Sequence, residues 1–171
     1  WVWGGAECLR PAYDRCLISL SRGGADADVT REFDVSDKAF VAGGFSRPEA
    51  KGQIGWIDTD TVYVSTDFGS GSMTSSGYPR IAKEWKRGTP MSAARTVYEG
   101  QESDISVGAY RDHTPGFERD FVYRGLTFYT NELYLRGKDG ALLKLDLPDG
   151  AQKGTFREWL SVELRQSWTI G

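Results

Sequence analysis

The segment WIDTDTVYV at residues 56–64 decides the fold class, because an earlier segment follows the same pattern. The earlier copy is PAYDRCLIS at residues 11–19, and Leu17 and Val62 hold matching positions 45 residues apart. In each copy a polar turn leads directly into a predicted strand. A connection rich in Gly and Ser follows this strand, and a polar strand comes after the connection. A period of about 40–50 residues with four strands per unit is typical of a β-propeller. The repeat therefore predicts propeller blades.

Alternating apolar and polar residues predict short strands along the rest of the chain. In two such stretches the buried faces are predicted to consist of Leu143, Leu145 and Leu147, and of Leu160, Val162 and Leu164. The sequence GKDG at 137–140 predicts a hairpin between strands at 132–136 and 141–147. Further strands are predicted at residues 16–20, 29–33, 61–65, 80–85, 95–98, 105–110 and 121–128. We predict an all-β chain with antiparallel four-stranded blades, three to four in number, and a β-sandwich is the alternative.

Composition and charge exclude several functions. The chain has 171 residues, a length typical of a single domain, and its net charge is −3. Because phosphate neutralisation supplies most of the affinity for nucleic acids, a weakly acidic chain without a Lys/Arg stripe is not expected to bind them. The apolar runs are far shorter than the roughly 20 residues that span a bilayer, so no membrane segment is predicted.

The cysteines and tryptophans favour structural roles. Cys8 and Cys16 lack the CxxC spacing of metal and redox sites, and we expect buried reduced thiols on neighbouring strands, with a disulfide as the alternative. Packing in the core is expected for each tryptophan, and Trp85 in particular is predicted to lie between sheets. The chain begins with Trp1 rather than Met, which we interpret as a piece of a longer polypeptide, with a processed protein as the alternative.

No catalytic or metal-binding set is evident in the sequence. No serine lies in a G-x-S-x-G motif, and His113, the single histidine, is predicted to be a loop residue with local hydrogen bonds. Asp58 and Asp60 form a D-x-D pair, but further carboxylates at the spacing of a calcium loop are missing, so we expect them to cap a turn. No metal or cofactor is therefore expected.

Several longer strings resemble the N-terminal β-propeller of prolyl oligopeptidase-type serine peptidases, the S9 peptidase family. The most similar strings are AKGQIGWIDTDT at 50–61, TDFG at 66–69, SGYPR at 76–80, EWKRGTP at 84–90 and YRDHTPGFER at 110–119. Residues 26–33 are also similar to a bacterial branch of this family. The resemblance extends over essentially the whole chain.

This resemblance implies a fold and an activity for a longer protein. In this family a seven-bladed propeller caps an α/β-hydrolase domain with the catalytic Ser, Asp and His, and it limits access to short peptides that are cleaved after proline. The chain would form an incomplete arc of that propeller, inert alone, with its own C-terminal hydrolase domain and short peptides as partners. We expect a homodimer of the isolated chain and a cytoplasmic rather than a periplasmic location.

One residue is assigned a possible substrate contact through the resemblance. Phe33 matches a family position whose aromatic side chain projects toward the substrate cavity, although Arg31, Glu32 and Asp34 depart from the more apolar strand of the family. Packing of Phe33 in the core is the alternative. For the chain as a whole, the alternative function is a free-standing propeller-like module that binds a peptide or a carbohydrate.

Overall fold

The computed structural model describes residues 1–169, and strands dominate this part of the chain. In chain order the strands are β1 (Val2–Cys8), β2 (Arg15–Ser21), β3 (Asp28–Asp34), β4 (Ala39–Phe40), β5 (Ser46–Ala50), β6 (Gln53–Asp58), β7 (Thr61–Ser65), β8 (Ile81–Lys86), β9 (Arg95–Glu99), β10 (Ser106–Asp112), β11 (Arg119–Gly125), β12 (Asn131–Arg136), β13 (Leu142–Lys144), β14 (Gln152–Phe156) and β15 (Trp159–Glu163). A single 3₁₀ turn, Met91–Ala93, accompanies them within the described residues. No helix there is long and apolar enough to span a bilayer.

The strands form three antiparallel sheets and a hairpin. The first sheet has the order β1-β2-β3-β4, and β5 also pairs with β3. The second sheet is β6-β7-β8-β9, the third is β10-β11-β12-β13, and β14 pairs with β15. The predicted all-β class with antiparallel four-stranded sheets is confirmed.

The repeat seen in the sequence corresponds to the second strand of each sheet. Leu17 lies on β2 and Val62 on β7, and both are fully buried. In the third sheet the second strand is β11, where Val122 is also fully buried. The step from Val62 to Val122 is longer than the step from Leu17 to Val62, so the spacing of the repeat is not constant along the chain.

Two apolar clusters hold the sheets together, and the second sheet contributes to both. One cluster contains Leu17 on β2, Phe45 in the connection between β4 and β5, and four residues of the second sheet, Trp56, Val62, Val64 and Trp85. The other joins Tyr63 and Ala82 to Val107, Ala109 and Val122 of the third sheet. Because side chains alternate along a strand, β7 sends Val62 and Val64 to one cluster and Tyr63 to the other. The second sheet is therefore covered on both faces.

Trp85 is buried, as predicted, but the rule that every tryptophan packs in the core is wrong. The exposed members are Trp1, Trp3, Trp159 and Trp168. Trp1 and Trp3 lie at or beside β1, and Trp159 begins β15, so their sheets are the outer ones of the described arrangement. They lack a neighbouring sheet that would cover them.

Two further expectations are corrected. Cys8 and Cys16 form a disulfide rather than two reduced thiols, because β1 and β2 pair in a register that places them directly opposite each other. The predicted buried face of Leu143, Leu145 and Leu147 is also wrong. Strand β13 ends at Lys144, and Leu143 is 62% exposed, whereas the preceding Leu142 packs against the second apolar cluster.

Candidate functional site

The first strands of the three sheets, β1, β6 and β10, meet around Trp56. The backbone N–H of Trp56 donates to Glu7 Oε1 at 3.1 Å, and its indole N–H donates to the Glu7 carbonyl at 2.9 Å. On the other side, His113 Nε2 donates to the Trp56 carbonyl at 2.9 Å, directly after the end of β10. His113 therefore contacts a residue 57 positions away, and the prediction of purely local hydrogen bonds is wrong.

A cavity of about 290 Å³ opens where these strands meet, and we call it the first-strand cavity. The side chains that line it include Glu7, Gln53, Tyr110, Arg111 and Tyr123. They come from the first strand of each sheet and, in the case of Tyr123, from β11. Acidic, amide and aromatic groups thus surround one small space.

Two glycines make room for the polar side chains of this cavity. A Cβ at Gly55 would lie 3.2 Å from Glu7 Oε2, closer than most real Cβ contacts, so the bare backbone lets the carboxylate lie across β6. A Cβ at Gly108 would overlap the Gln53 amide and the Tyr123 ring. Glycine in a strand often marks such a close approach. The sequence therefore builds the cavity with glycines as well as with polar residues.

The charge of the cavity is concentrated on Glu7. Partial burial raises the pKa of Glu7, while the hydrogen bond from Trp56 and the nearby His113 lower it. Arg111 also lines the cavity, but it donates to Asp120 at 2.8 Å, so its positive charge has a partner. Glu7 is the acidic side chain among the residues that line the cavity, and its Oε1 accepts from a neutral backbone N–H.

At the end of β10, Asp112 forms a second set of polar contacts. Asp112 accepts from the Thr114 hydroxyl at 2.6 Å and the Thr114 N–H at 2.9 Å, and it pairs with Arg119 at 3.0 Å. Desolvation alone would raise the pKa of Asp112, but these hydrogen bonds outweigh it and lower the pKa to about 2. Asp112 is therefore held as a carboxylate that fixes the turn before Arg119.

A buried ion pair ties the first sheet to the second. The Glu32 carboxylate accepts from Arg87 at 2.9 and 3.0 Å and from the Phe45 N–H at 2.9 Å, and Arg15 lies 3.6 Å away. Arg87 also lies over the Phe45 ring and donates to the Thr59 carbonyl. A cleft of about 510 Å³ adjoins this group. Because both oxygens of the Glu32 carboxylate have partners, we assign this cluster a structural role, the connection of the first sheet to the second.

The structure places the predicted site residues apart from the first-strand cavity. Phe33 lies on β3, is half-buried, and packs edge-on against Phe40 with ring centroids 5.4 Å apart. Asp58 caps its turn, because its carboxylate accepts from the Asp60 N–H at 2.8 Å, as predicted. Within residues 1–169, no group of three or more His, Cys, Asp or Glu side chains is arranged to hold a metal ion.

The chain belongs to the prolyl oligopeptidase N-terminal β-propeller family, because residues 5–139 match the sequence model of that domain. The resemblance described from the sequence strings is thereby confirmed. The three sheets are accordingly propeller blades, which we call the first, second and third blade in chain order.

Two similar curated proteins are named as peptidases. An uncharacterized peptidase from Sinorhizobium fredii is 40% identical over 99% of this chain and 24% of its own length. An uncharacterized peptidase from Rickettsia prowazekii is 30% identical over 96% of this chain and 25% of its own length. The chain thus spans about a quarter of the length of these relatives.

Solved structures agree with the family. A post-proline cleaving enzyme from Rickettsia typhi superposes with a TM-score of 0.89 at 29% identity, over 97% of this chain and 26% of that one. Oligopeptidase B from Leishmania major has a TM-score of 0.64 at 14% identity, over 90% of this chain and 21% of that one. The second likeness concerns the fold alone.

Proposed function

We propose that this chain is the substrate-gating part of a prolyl oligopeptidase-like serine endopeptidase that cleaves short peptides after proline. The observation that carries the proposal is the match of residues 5–139 to the N-terminal propeller domain of that family. The 29% identity to a post-proline cleaving enzyme supports the substrate class. The function we assign to the blades is steric, because a ring of rigid sheets admits a flexible peptide and excludes a folded protein.

The parent protein would complete what this chain lacks. We infer a seven-bladed propeller of which these blades form an arc, and a C-terminal α/β-hydrolase domain that supplies the Ser, Asp and His. The first-strand cavity faces the centre of the ring in this proposal, because propeller blades surround a central channel. Phe33 stays a proposed contact of the substrate cavity. The chain alone is expected to be inert.

The test compares the isolated chain with the full-length parent. With a chromogenic Gly-Pro substrate, we expect turnover by the parent and none by the chain. Turnover by the chain that survives repurification and disappears in His113→Ala would contradict the inert role.

Gating is tested with one cleavage site in two settings. We expect the parent to cut a short proline peptide and to leave the same sequence intact in a loop of a folded domain. Equal cleavage of both would contradict gating. A parent that binds peptides but cuts neither substrate would favour a binding module.

A further inference from the structure

We propose that the first-strand cavity binds the cationic group of a peptide, with Glu7 as its counter-ion. This inference rests on the proposed function, because it names a feature of the peptides that pass the blades. It assigns a binding role to Glu7, Gln53, Tyr110 and Tyr123. The chemistry it recognises is an ammonium or guanidinium group.

Glu7 supplies a carboxylate that has a neutral hydrogen-bond partner. Oε1 accepts from the Trp56 N–H at 3.1 Å, which fixes the carboxylate across Gly55. Arg111 at the same cavity is paired with Asp120 at 2.8 Å and does not need Glu7 as a partner. A carboxylate at the wall of a protein cavity attracts a cation more strongly than one in open water does, because the local dielectric constant is lower. Glu7 is therefore the acidic group of this lining that a cationic ligand would meet.

The remaining lining suits the organic part of such a ligand. Tyr110 and Tyr123 contribute aromatic rings to the lining, and the face of an aromatic ring attracts a cation. Tyr110 is held in place by stacking on Phe121, with centroids 5.4 Å apart. The Gln53 amide has both a donor and an acceptor, as a peptide group requires.

The size of the cavity limits what it can hold. Its volume of about 290 Å³ lies near the lower end of the range for ligand pockets. That space suits one side chain or one chain terminus rather than a whole peptide. The cation could therefore be an amino terminus or a basic side chain, and the experiment separates these sources.

The test uses three tripeptide amides and this chain. Acetyl-Gly-Lys-Gly carries a side-chain cation, Gly-norleucine-Gly carries only an amino-terminal cation, and acetyl-Gly-norleucine-Gly carries none. Binding is followed by NMR through the indole N–H of Trp56, which donates to the Glu7 carbonyl. We expect one of the two cationic peptides to bind about fivefold to tenfold more tightly than the neutral peptide. The tighter one identifies the source of the cation.

Two variants locate the effect. Glu7→Gln keeps the size of the side chain and an acceptor for Trp56, and we expect it to abolish the preference for the cation. Glu102→Gln removes the same charge at an exposed position, and the preference should persist. Equal binding of all three peptides, or an unchanged preference in Glu7→Gln, would overturn the proposal. Should Glu7→Gln fail to fold, the three peptides on the unaltered chain still decide it.

This outcome is separable from that of the proposed function. A parent that cleaves short peptides after proline but a chain that binds the three peptides equally would refute the cation site alone. A parent without peptidase activity would refute the proposed function, whatever the chain binds.

Discussion

Trp85 of the second blade packs in the apolar cluster that this blade shares with the first. Its ring is 7% exposed, lies 5.1 Å from the Phe45 ring, and donates its indole N–H to the Thr89 carbonyl at 2.8 Å. We expect Trp85→Ala to lower the free energy of unfolding by about 3–5 kcal/mol, because it leaves a large cavity and an unpaired carbonyl.

The control for Trp85 is a tryptophan outside the core. Trp159 is 66% exposed, and Trp159→Ala should change the free energy of unfolding by less than about 0.5 kcal/mol. Urea unfolding of both variants measures the difference. A loss below about 1 kcal/mol for Trp85→Ala would contradict the packing described here.

Asp112 makes stability depend on acid. Its pKa falls from 3.8 to about 2 on folding, so folding favours the carboxylate. The resulting stabilisation is fully present above the unfolded pKa of 3.8 and disappears as the pH falls through about 2. Near neutral pH we expect Asp112→Asn to have a lower free energy of unfolding than the unaltered chain. As the pH falls, the two free energies of unfolding should converge. Urea unfolding at a series of acidic pH values measures this.

The result that would contradict this role is a constant stability difference at every pH. In that case Asp112 would act through packing or through hydrogen bonds that Asn also makes. Asp37→Asn, at an exposed position, controls for the loss of one charge.

At the scale of elements, the Cys8–Cys16 disulfide closes the connection between β1 and β2. The two residues are separated by 8 positions in the sequence. For so short a loop we expect the disulfide to stabilise the fold by about 2–3 kcal/mol, largely by restricting the unfolded chain. Urea unfolding with and without a dithiol reductant measures it. The double variant Cys8→Ser/Cys16→Ser should not respond to the reductant, and two titratable thiols in the air-oxidised native chain would contradict the disulfide.

Glycines in strands β1 and β6 hide part of the fold from the sequence, and one of them, Gly55, also makes room for the first-strand cavity. Strands β1 and β6 contain Gly4, Gly5 and Gly55, and glycine weakens the alternation that predicts a strand. Second strands such as β7 alternate between two buried faces and are rich in β-branched residues, so their bounds could be predicted closely. The repeat and the blades were therefore predictable, and so was the first strand β10, whereas β1 and β6 were not.

Contacts between blades set the other limit on prediction. Glu32 was recognised as a departure from an apolar strand, but its partner Arg87 is 55 residues away and no spacing rule connects them. The cavity residues Glu7 and Gln53 likewise come from different blades. For Cys8 and Cys16 the missing information was the register of β1 against β2, which decides whether the side chains meet.

At the scale of the whole molecule, the first blade, the third blade and the β14–β15 hairpin expose aromatic side chains. The most exposed of these are Trp1, Trp3, Phe128, Tyr129, Phe156 and Trp159. Apolar patches of this kind commonly find a partner, and unpaired strand edges add a template for it. We expect the isolated chain to self-associate, most simply as a two-fold dimer that buries the faces near residues 1–8 and 160–168.

Sedimentation over a wide range of concentrations tests this expectation. Replacing both Trp3 and Trp159 by Ser should weaken the association without loss of the fold, because both side chains are exposed and lie on the outer strands. A chain that stays at its monomer mass of 19.0 kDa at every concentration would contradict the predicted self-association.

The position of the second blade, covered on both faces, has a consequence for how the chain opens. In arrays where each unit contacts its nearest neighbours, a unit with two neighbours is stabilised twice, and a terminal unit once. We expect amide hydrogens of β7 and β8 to exchange with deuterium most slowly, and those of β1 and β15 to exchange fastest. Mass spectrometry of deuterated peptides measures the gradient, and uniform protection would contradict it. Opening would then begin at the outer strands and reach the middle of the arc last.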